Sequence, residues 1–218
     1  MYEIVAEAKR HGFPSIELQT NGMLLAAKPE MLRDLDAIGL TGIAVSIAHP
    51  DPVQNQKTIG VDHDYLTLMD KASEMGFLCR VTLNLVRNAF ATTRLSTWAD
   101  TLVASGVHQL TLRQLGQPTF NGCDTDAADR VRTWIDANAM PQDEVDRLAR
   151  EVAVAGVLIR QNSFGVDIYD YHGLSTAVAT SDDTCMSRNT DPNEIRSMIL
   201  SADGHIRSSW DLPGSILI

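Results

Sequence analysis

Helical and strand-like patterns of apolar residues alternate along the first 160 residues of the chain. Helices are predicted where apolar residues recur every three to four positions, and strands where apolar and polar residues alternate. The predicted helices cover residues 2–11, 29–38, 63–75, 92–104, 126–137 and 142–155. The predicted strands cover residues 15–20, 41–48, 78–86, 107–115 and 156–162. Because strands alternate with helices at a spacing of about 30 residues, the sequence indicates βα units and a parallel sheet.

Each of the four clearest strands has one apolar face and one face that is polar or small. The polar or small positions are Glu17, Gln19, Ala44, Ser46, Ala48, Arg80, Thr82, Asn84, Gln109, Thr111 and Arg113. An ordinary eight-stranded βα barrel fills its interior with Val, Ile and Leu. Since the helices need the apolar faces, the polar faces are expected to line a wide or incomplete barrel that holds ligand and water. The alternative is an antiparallel sheet with one solvated face, which has the same alternation.

The pattern changes after the last of these strands. From Phe164 the sequence predicts short antiparallel strands, and Asp203-Gly204 is typical of a hairpin turn between residues 195–201 and 205–210.

Composition and charge exclude several classes of protein. The 218 residues are 44% hydrophobic and 21% charged, which is typical of a globular domain. The net charge of −10, without a basic patch, argues against a nucleic-acid partner. No apolar run approaches the roughly 20 residues of a membrane span, so no membrane partner is expected. The three cysteines are far apart in sequence, which predicts free thiols and a cytoplasmic protein with no metal ligands of its own.

Five segments, taken in order, resemble strands and loops of the radical SAM superfamily. Residues 18–25 (LQTNGMLL) are similar to the Thr-Asn-Gly segment after the family's third strand, and residues 43–52 and 56–60 to its fourth strand and following loop. Residues 77–88 (FLCRVTLNLVRN) resemble the fifth strand, especially in the branch with the molybdopterin-precursor cyclase, and residues 107–115 the sixth. The hairpin at Asp203-Gly204 resembles the C-terminal strands of that branch.

This resemblance implies an α/β fold, a partial (β/α) barrel of the radical SAM type that lacks its first two strands. Residues 1–163 would form the barrel and residues 164–218 a C-terminal β-hairpin extension packed on it. The family cleaves S-adenosylmethionine reductively with a [4Fe-4S] cluster and abstracts a hydrogen from its substrate. The sequence has neither the Cys-x-x-x-Cys-x-x-Cys loop that holds the cluster nor the Gly-Gly-Glu-type segment that binds the methionine amino group. Cys79, Cys123 and Cys185 do not replace that loop.

We therefore expect a truncated protein that does not ligate the cluster itself. In a complete form, an upstream segment would supply the iron. The alternative is a lyase or isomerase without radical chemistry on the same scaffold, or a remnant that binds a small metabolite without catalysis.

Sites in parallel βα folds lie at the carboxyl ends of the strands, and candidate residues occur there. The resemblance implies that Thr20, Asn21, Ser46 and Asn84 contact S-adenosylmethionine. The alternative for Thr20 and Asn21 is a simple Asn-Gly turn. For Ser46 it is a small residue in a narrow place, and for Asn84 a side chain that caps neighbouring backbone.

Three charged residues are candidates for a small-molecule or peptide substrate. Arg87 follows the third strand and is either a substrate ligand or a solvated loop residue. Arg113 is expected to face inward and either to bind a substrate carboxylate or phosphate or to pair with Glu17 across the lumen.

Two further expectations concern exposed parts of the molecule. Without two preceding strands, residues 15–20 form an open edge, which predicts a homodimer through this edge or a marginally stable chain. His49 and His63 are expected to be surface residues of the rim loops.

Overall fold

The computed structural model describes residues 1–60, 63–116, 125–162, 165–180, 198–201 and 203–208. The helices are α1 (Tyr2–Arg10), α2 (Met23–Ala27), α3 (Glu30–Ala37), α4 (Pro52–Ile59), α5 (Tyr65–Glu74), α6 (Leu95–Ala104), α7 (Thr125–Asn138) and α8 (Gln142–Ala155). The strands are β1 (Glu17–Thr20), β2 (Gly42–Ile47), β3 (Leu78–Leu85), β4 (Gln109–Gln114), β5 (Val157–Gln161), β6 (Asp167–Tyr171), β7 (Leu174–Ala179), β8 (Ile199–Leu200) and β9 (Ile206–Arg207). None of the helices in these ranges has the length and apolar composition needed to cross a membrane.

The main sheet has seven strands in the order β1-β2-β3-β4-β7-β6-β5. Strands β1 to β4 are parallel neighbours, and β7 continues the parallel series beside β4. Strands β5, β6 and β7 pair with one another in antiparallel fashion. The chain is therefore a mixed α/β protein with a mostly parallel sheet, and the antiparallel alternative is wrong for the first four strands.

Strand β5 occupies a different place from the one predicted for residues 156–162. A further strand of a βα series was expected beside β4, but the β6–β7 hairpin lies between β4 and β5. Two antiparallel steps separate β5 from β7, so β5 still runs in the direction of β1 to β4. The local sequence pattern predicts that β5 is a strand parallel to β1–β4. Its position in the sheet, beside β6 and not beside β4, depends on the β6–β7 hairpin that follows it in sequence.

The two sheet faces have different environments. Core side chains on the strands share one face, where Ile43 aligns with Cys79 and Val45 with Val81. Helices α1, α2, α3, α5, α6 and α8 contribute residues to the same core. All of these helices therefore cover one face, as the alternation predicts, and they leave the polar side chains on the other.

Helices α2 and α4 are additions to the predicted elements. Helix α4 begins after Asp51, whose carboxylate accepts a hydrogen bond from the Gln54 N–H at 3.0 Å, and Pro52 is its first residue. An Asp cap followed by Pro is a known helix start, so this signal was present in the sequence.

The small sheet formed by β8 and β9 confirms the predicted hairpin in the tail. Its turn contains Asp203 and Gly204, and Gly204 has a φ of +85°, a conformation that favours glycine. The predicted division at residues 163 and 164 stays a prediction. Strands β6 and β7, which follow it, belong to the main sheet.

A buried hydrogen-bonded chain joins α5 and α6 to the loop after β2. The fully buried Tyr65 hydroxyl donates to the Pro50 carbonyl at 2.9 Å and accepts from Trp98 Nε1 at 2.9 Å. Burial raises the pKa of Tyr65 to about 12, so the hydroxyl keeps its proton at neutral pH.

Replacing Tyr65 with Phe removes both hydrogen bonds and leaves the Trp98 N–H and the Pro50 carbonyl buried without this partner. We expect Tyr65→Phe to lower the free energy of unfolding by about 1–3 kcal/mol, measured by urea denaturation. Tyr169→Phe is the matched control, because the Tyr169 hydroxyl is only part-buried and lies 3.4 Å from Asp167. Equal losses for both variants would contradict this account.

Candidate functional site

The polar side chains form rows across the parallel strands. Register places Ser46 beside Thr82 and Thr82 beside Thr111, which makes a row of hydroxyl groups on β2, β3 and β4. Two residues further along the strands, Asn84 lies beside Arg113. Since neighbouring strands are about 4.8 Å apart and strands rise about 3.3 Å per residue, the rows span about 10 Å by 7 Å.

This patch lies near the carboxyl ends of the strands and is reachable from solvent. Ser46, Thr82, Thr111 and Asn84 are half-buried, and Arg113 is exposed. Hydroxyl and amide groups both donate and accept hydrogen bonds, whereas the guanidinium only donates. The patch is suited to a polar small molecule that carries a carboxylate or phosphate near Arg113.

Glu17 does not join this patch, so the alternative in which it pairs with Arg113 across the lumen is wrong. The Glu17 carboxylate instead forms an ion pair with Arg80 Nη2. Glu17 lies in register with Gly42 and Leu78, six residues before Asn84 on β3, and is therefore about 20 Å below Arg113 along the strands. The error arises because alternation gives the face of a residue but not its height in the sheet.

Arg80 is a polar-face residue whose role the sequence did not indicate. It lies in the row of Gln19, Ala44 and Gln109, below the hydroxyl row. Its side chain is 25% exposed, and its Nε atom is buried without a hydrogen bond within the described ranges. The Glu17–Arg80 ion pair lies at the amino-terminal end of the polar face.

Thr20 and Asn21 make local hydrogen bonds at the end of β1. Thr20 Oγ1 accepts from the Gly22 N–H at 3.1 Å, and Asn21 Oδ1 accepts from the Met23 N–H at 3.2 Å. Register aligns Thr20 with Val45, which is a core position. Thr20 therefore belongs to the helix-covered face, and the structure does not bring it together with Ser46.

Gly22 allows the tight connection from β1 to α2. It has a φ of +83°, and a Cβ atom there would lie 2.3 Å from His63 Nε2. His63 is half-buried against this turn, so the expectation of a surface histidine is wrong.

Arg87 contacts the end of α7 rather than the polar patch. Its Nε donates to the Ala137 carbonyl at 3.3 Å, and its backbone N–H donates to the Asn138 carbonyl at 2.6 Å. A cation near the carboxyl end of a helix is favourable. Contact with α7 therefore gives Arg87 a structural role that needs no substrate.

Sequence reasoning missed a buried hydrogen-bonded loop directly after Ser46. Asn55 on α4 is fully buried, and its Oδ1 accepts from the Ala48 N–H at 2.8 Å and the His49 N–H at 3.3 Å. His49 Nδ1 accepts from the Asp51 N–H at 2.9 Å. His49 is 8% exposed, so it is not the surface residue that was expected. Its burial depends on long-range packing, which a loop sequence does not reveal.

Burial also lowers the pKa of His49, and a hydrogen bond with the Asn88 backbone and the charge of Asp51 partly offset this effect. The imidazole is therefore neutral at pH 7, as an Nδ1 that accepts a hydrogen bond requires.

Among the described residues, Cys79 is the one cysteine. Its buried environment does not suit an iron–sulfur ligand. The buried thiol donates to the Met69 and Phe77 carbonyls at 3.6 and 3.5 Å, and burial raises its pKa to about 12. A cluster needs several thiolates together. Cys123 and Cys185 lie outside the described residues, and within the described ranges no three His, Cys, Asp or Glu side chains are grouped as metal ligands.

A scan against models of known protein families found no match to this sequence. A search of curated protein sequences also found no relative.

The buried neutral His49 predicts a specific pH dependence of stability. Because its folded-state pKa is below the ordinary value of 6.5, the unfolded chain takes up a proton first as the pH falls. We expect the free energy of unfolding to decrease from about pH 7 to about pH 5.5, and to decrease less in His49→Gln.

The control is His205→Gln, which removes a half-exposed histidine of the tail hairpin. If this variant reduced the pH dependence as much as His49→Gln, the assignment to His49 would be wrong. Urea denaturation at the two pH values gives the comparison.

Proposed function

We propose that the polar face is the lumen of a partial (β/α) barrel of the radical SAM type, and that it binds S-adenosylmethionine or a similar polar metabolite. The observation that carries this proposal is the arrangement of β1 to β4. Four parallel strands in sequence order have the core helices on one face and rows of polar side chains on the other. Side-by-side strands with same-side helices are the arrangement of a barrel wall.

Ser46 and Asn84 are the proposed cofactor ligands. They face the same side near the carboxyl ends of adjacent strands. The side chains of Ser46 and Asn84 form no hydrogen bond to another residue within the described ranges, so their polar atoms remain available to a ligand. Thr20 and Asn21, in contrast, use their side-chain oxygens to accept hydrogen bonds in the turn. Thr82 and Thr111 extend the same hydroxyl row, which suits the ribose and amino-acid groups of S-adenosylmethionine.

Arg113 is the proposed ligand for an anionic group of the substrate. It lies beside Asn84 and is exposed, so a carboxylate or phosphate reaches it without displacing an ion-pair partner among the described residues. A guanidinium binds such groups through two parallel hydrogen bonds.

The described residues supply no ligand set for the [4Fe-4S] cluster, so no radical step is assigned to them. Reductive cleavage of S-adenosylmethionine and abstraction of a substrate hydrogen would need cluster ligands other than Cys79. The alternative function is a lyase, an isomerase or a non-catalytic metabolite-binding protein on this scaffold. The register that places Asn84 beside Arg113 supports it, because an amide and a guanidinium together are suited to bind a carboxylate or phosphate without iron.

Calorimetric titration with S-adenosylmethionine tests the proposed ligand. We expect Asn84→Leu to weaken binding about two- to tenfold, since the net loss of one hydrogen bond to a polar ligand costs about 0.5–1.5 kcal/mol. Gln109→Met is the matched control, because Gln109 lies on the same face near the amino-terminal end of β4.

Absence of binding to the unmodified chain would refute the cofactor assignment. Binding of a small carboxylate or phosphate that is lost in Arg113→Met would then support the alternative function. An equal loss in Gln109→Met would place the ligand elsewhere on the sheet.

Anaerobic reconstitution with iron and sulfide tests the assignment of Cys79. The chain should form no stoichiometric cluster, and Cys79→Ala should not change its bound iron, because this thiol is buried and protonated. Stoichiometric iron that depends on Cys79 would contradict the assignment.

A further inference from the structure

Strand β5 is an unusual edge for an acidic chain. It is the last strand of the main sheet and pairs only with β6, so one side of its backbone has no strand neighbour among the described residues. All five of its residues are exposed, and Val157, Leu158 and Ile159 are 71%, 56% and 54% exposed. Val154 at the end of α8 is 87% exposed and extends this apolar edge.

The edge has weak protection against pairing with another strand, namely one charged residue and a bulge, and it has no proline. Native edge strands are usually blunted by charges, proline or bulges. The only charged residue of β5 is Arg160, and residues 152–159 contain no charge. A bulge is present, because Leu158 pairs with Tyr169 and Arg160 with Ile168, which leaves Ile159 as the extra residue. The bulge shortens the regular ladder, but it also leaves Leu158 and Ile159 side by side at the edge.

We infer that β5 pairs with β5 of a second copy of this chain, as antiparallel strands about a two-fold axis near Ile159. A row of unpaired backbone N–H and C=O groups at a sheet edge is a template for pairing with another strand. A two-fold axis makes two copies of one edge antiparallel, and the same apolar side chains then cover each other.

Charge also bears on which edge two copies can share. Each chain has a net charge of −10, so two copies repel each other on average. Acidic residues are absent along β5 and its approach from α8 at residues 152–159, and the nearest ones in the sheet, Asp167 and Asp170, lie on the neighbouring strand β6. The opposite edge, β1, carries Glu17, which is paired with Arg80, and Gln19, and none of its four residues is an exposed large apolar side chain. The two-fold β5 contact also closes, whereas a β1-to-β5 contact would continue into open chains.

The pairing is short, so the dimer should be weak and dissociate on dilution. Sedimentation equilibrium of the full chain should show a mass that rises from 23.9 kDa to twice that value as concentration increases. A single mass of one chain at all concentrations, or continued growth beyond the dimer, would overturn the inference.

Substitutions at the two edges identify the contact. Ile159→Lys should weaken the dimer about tenfold or more, because it brings like charges together across the axis. Val53→Lys is the matched control, since Val53 is 57% exposed on α4, which follows β2, and β2 is five strand positions from β5 in the sheet. Weakening by Val53→Lys, or by Gln19→Lys on β1 in place of Ile159→Lys, would overturn the assignment to β5.

A charge-reversal pair separates loss of contact from loss of folding. Ile159→Lys and Ile159→Glu should each be monomeric when alone, and an equal mixture should form a mixed dimer. Native circular dichroism for both variants together with failure of the mixture to associate would exclude pairing near Ile159. This test is independent of S-adenosylmethionine binding, which both variants should retain.

Discussion

Burial of alternate strand side chains under the helices is the constraint on which the rest of this structure depends. Ile43, Val45 and Ile47 on β2 are fully buried, and the neighbouring strands carry buried residues at the same heights. Removing such side chains from water contributes about 1.5–3 kcal/mol each. A slip of one residue would move Ser46 under the helices and an Ile toward the polar face, so the core fixes the register of the sheet. The positions of the polar rows are therefore set by the core.

Buried hydrogen bonds also hold the backbone of the loop directly after β2. Asn55 holds the backbone of Ala48 and His49, and Tyr65 holds the carbonyl of Pro50. These bonds are buried, where a lost partner is costly. They hold the backbone of residues 48–50, shortly after Ser46, beside the polar patch. Asn55 Nδ2 is buried without a partner in the described part of the chain, so a hydrogen-bond acceptor would be favourable in this loop.

The sequence predicted the elements well where their signals are local. The parallel order of β1 to β4 and the faces of their side chains follow from period and from intervening helices, and both agree with the structure. The separation of Glu17 and Arg113 along the strand direction could not be predicted in this way, because alternation shows which face a residue occupies but not its register with residues on other strands. The sheet face of Thr20 was predictable, since Thr20 lies two residues after Leu18 and four after Ile16 and therefore points to the same apolar face. The burial of His49 was not, because it depends on Asn55 and the Asn88 backbone.

The insertion of the β6–β7 hairpin has a consequence for the polar face. Beside β4, β7 places Ser175 next to Gln109 and Ala177 next to Thr111, so the row of hydroxyl groups meets a small side chain there. Small residues leave room above the sheet, whereas a Leu or Ile at this position would fill it. Strand β5 keeps the direction of a barrel strand but lies two positions farther from β4. The hairpin thus widens the polar face while it moves the apolar β5 edge away from it, and the proposed ligand site and the proposed contact between copies occupy separate regions of one sheet.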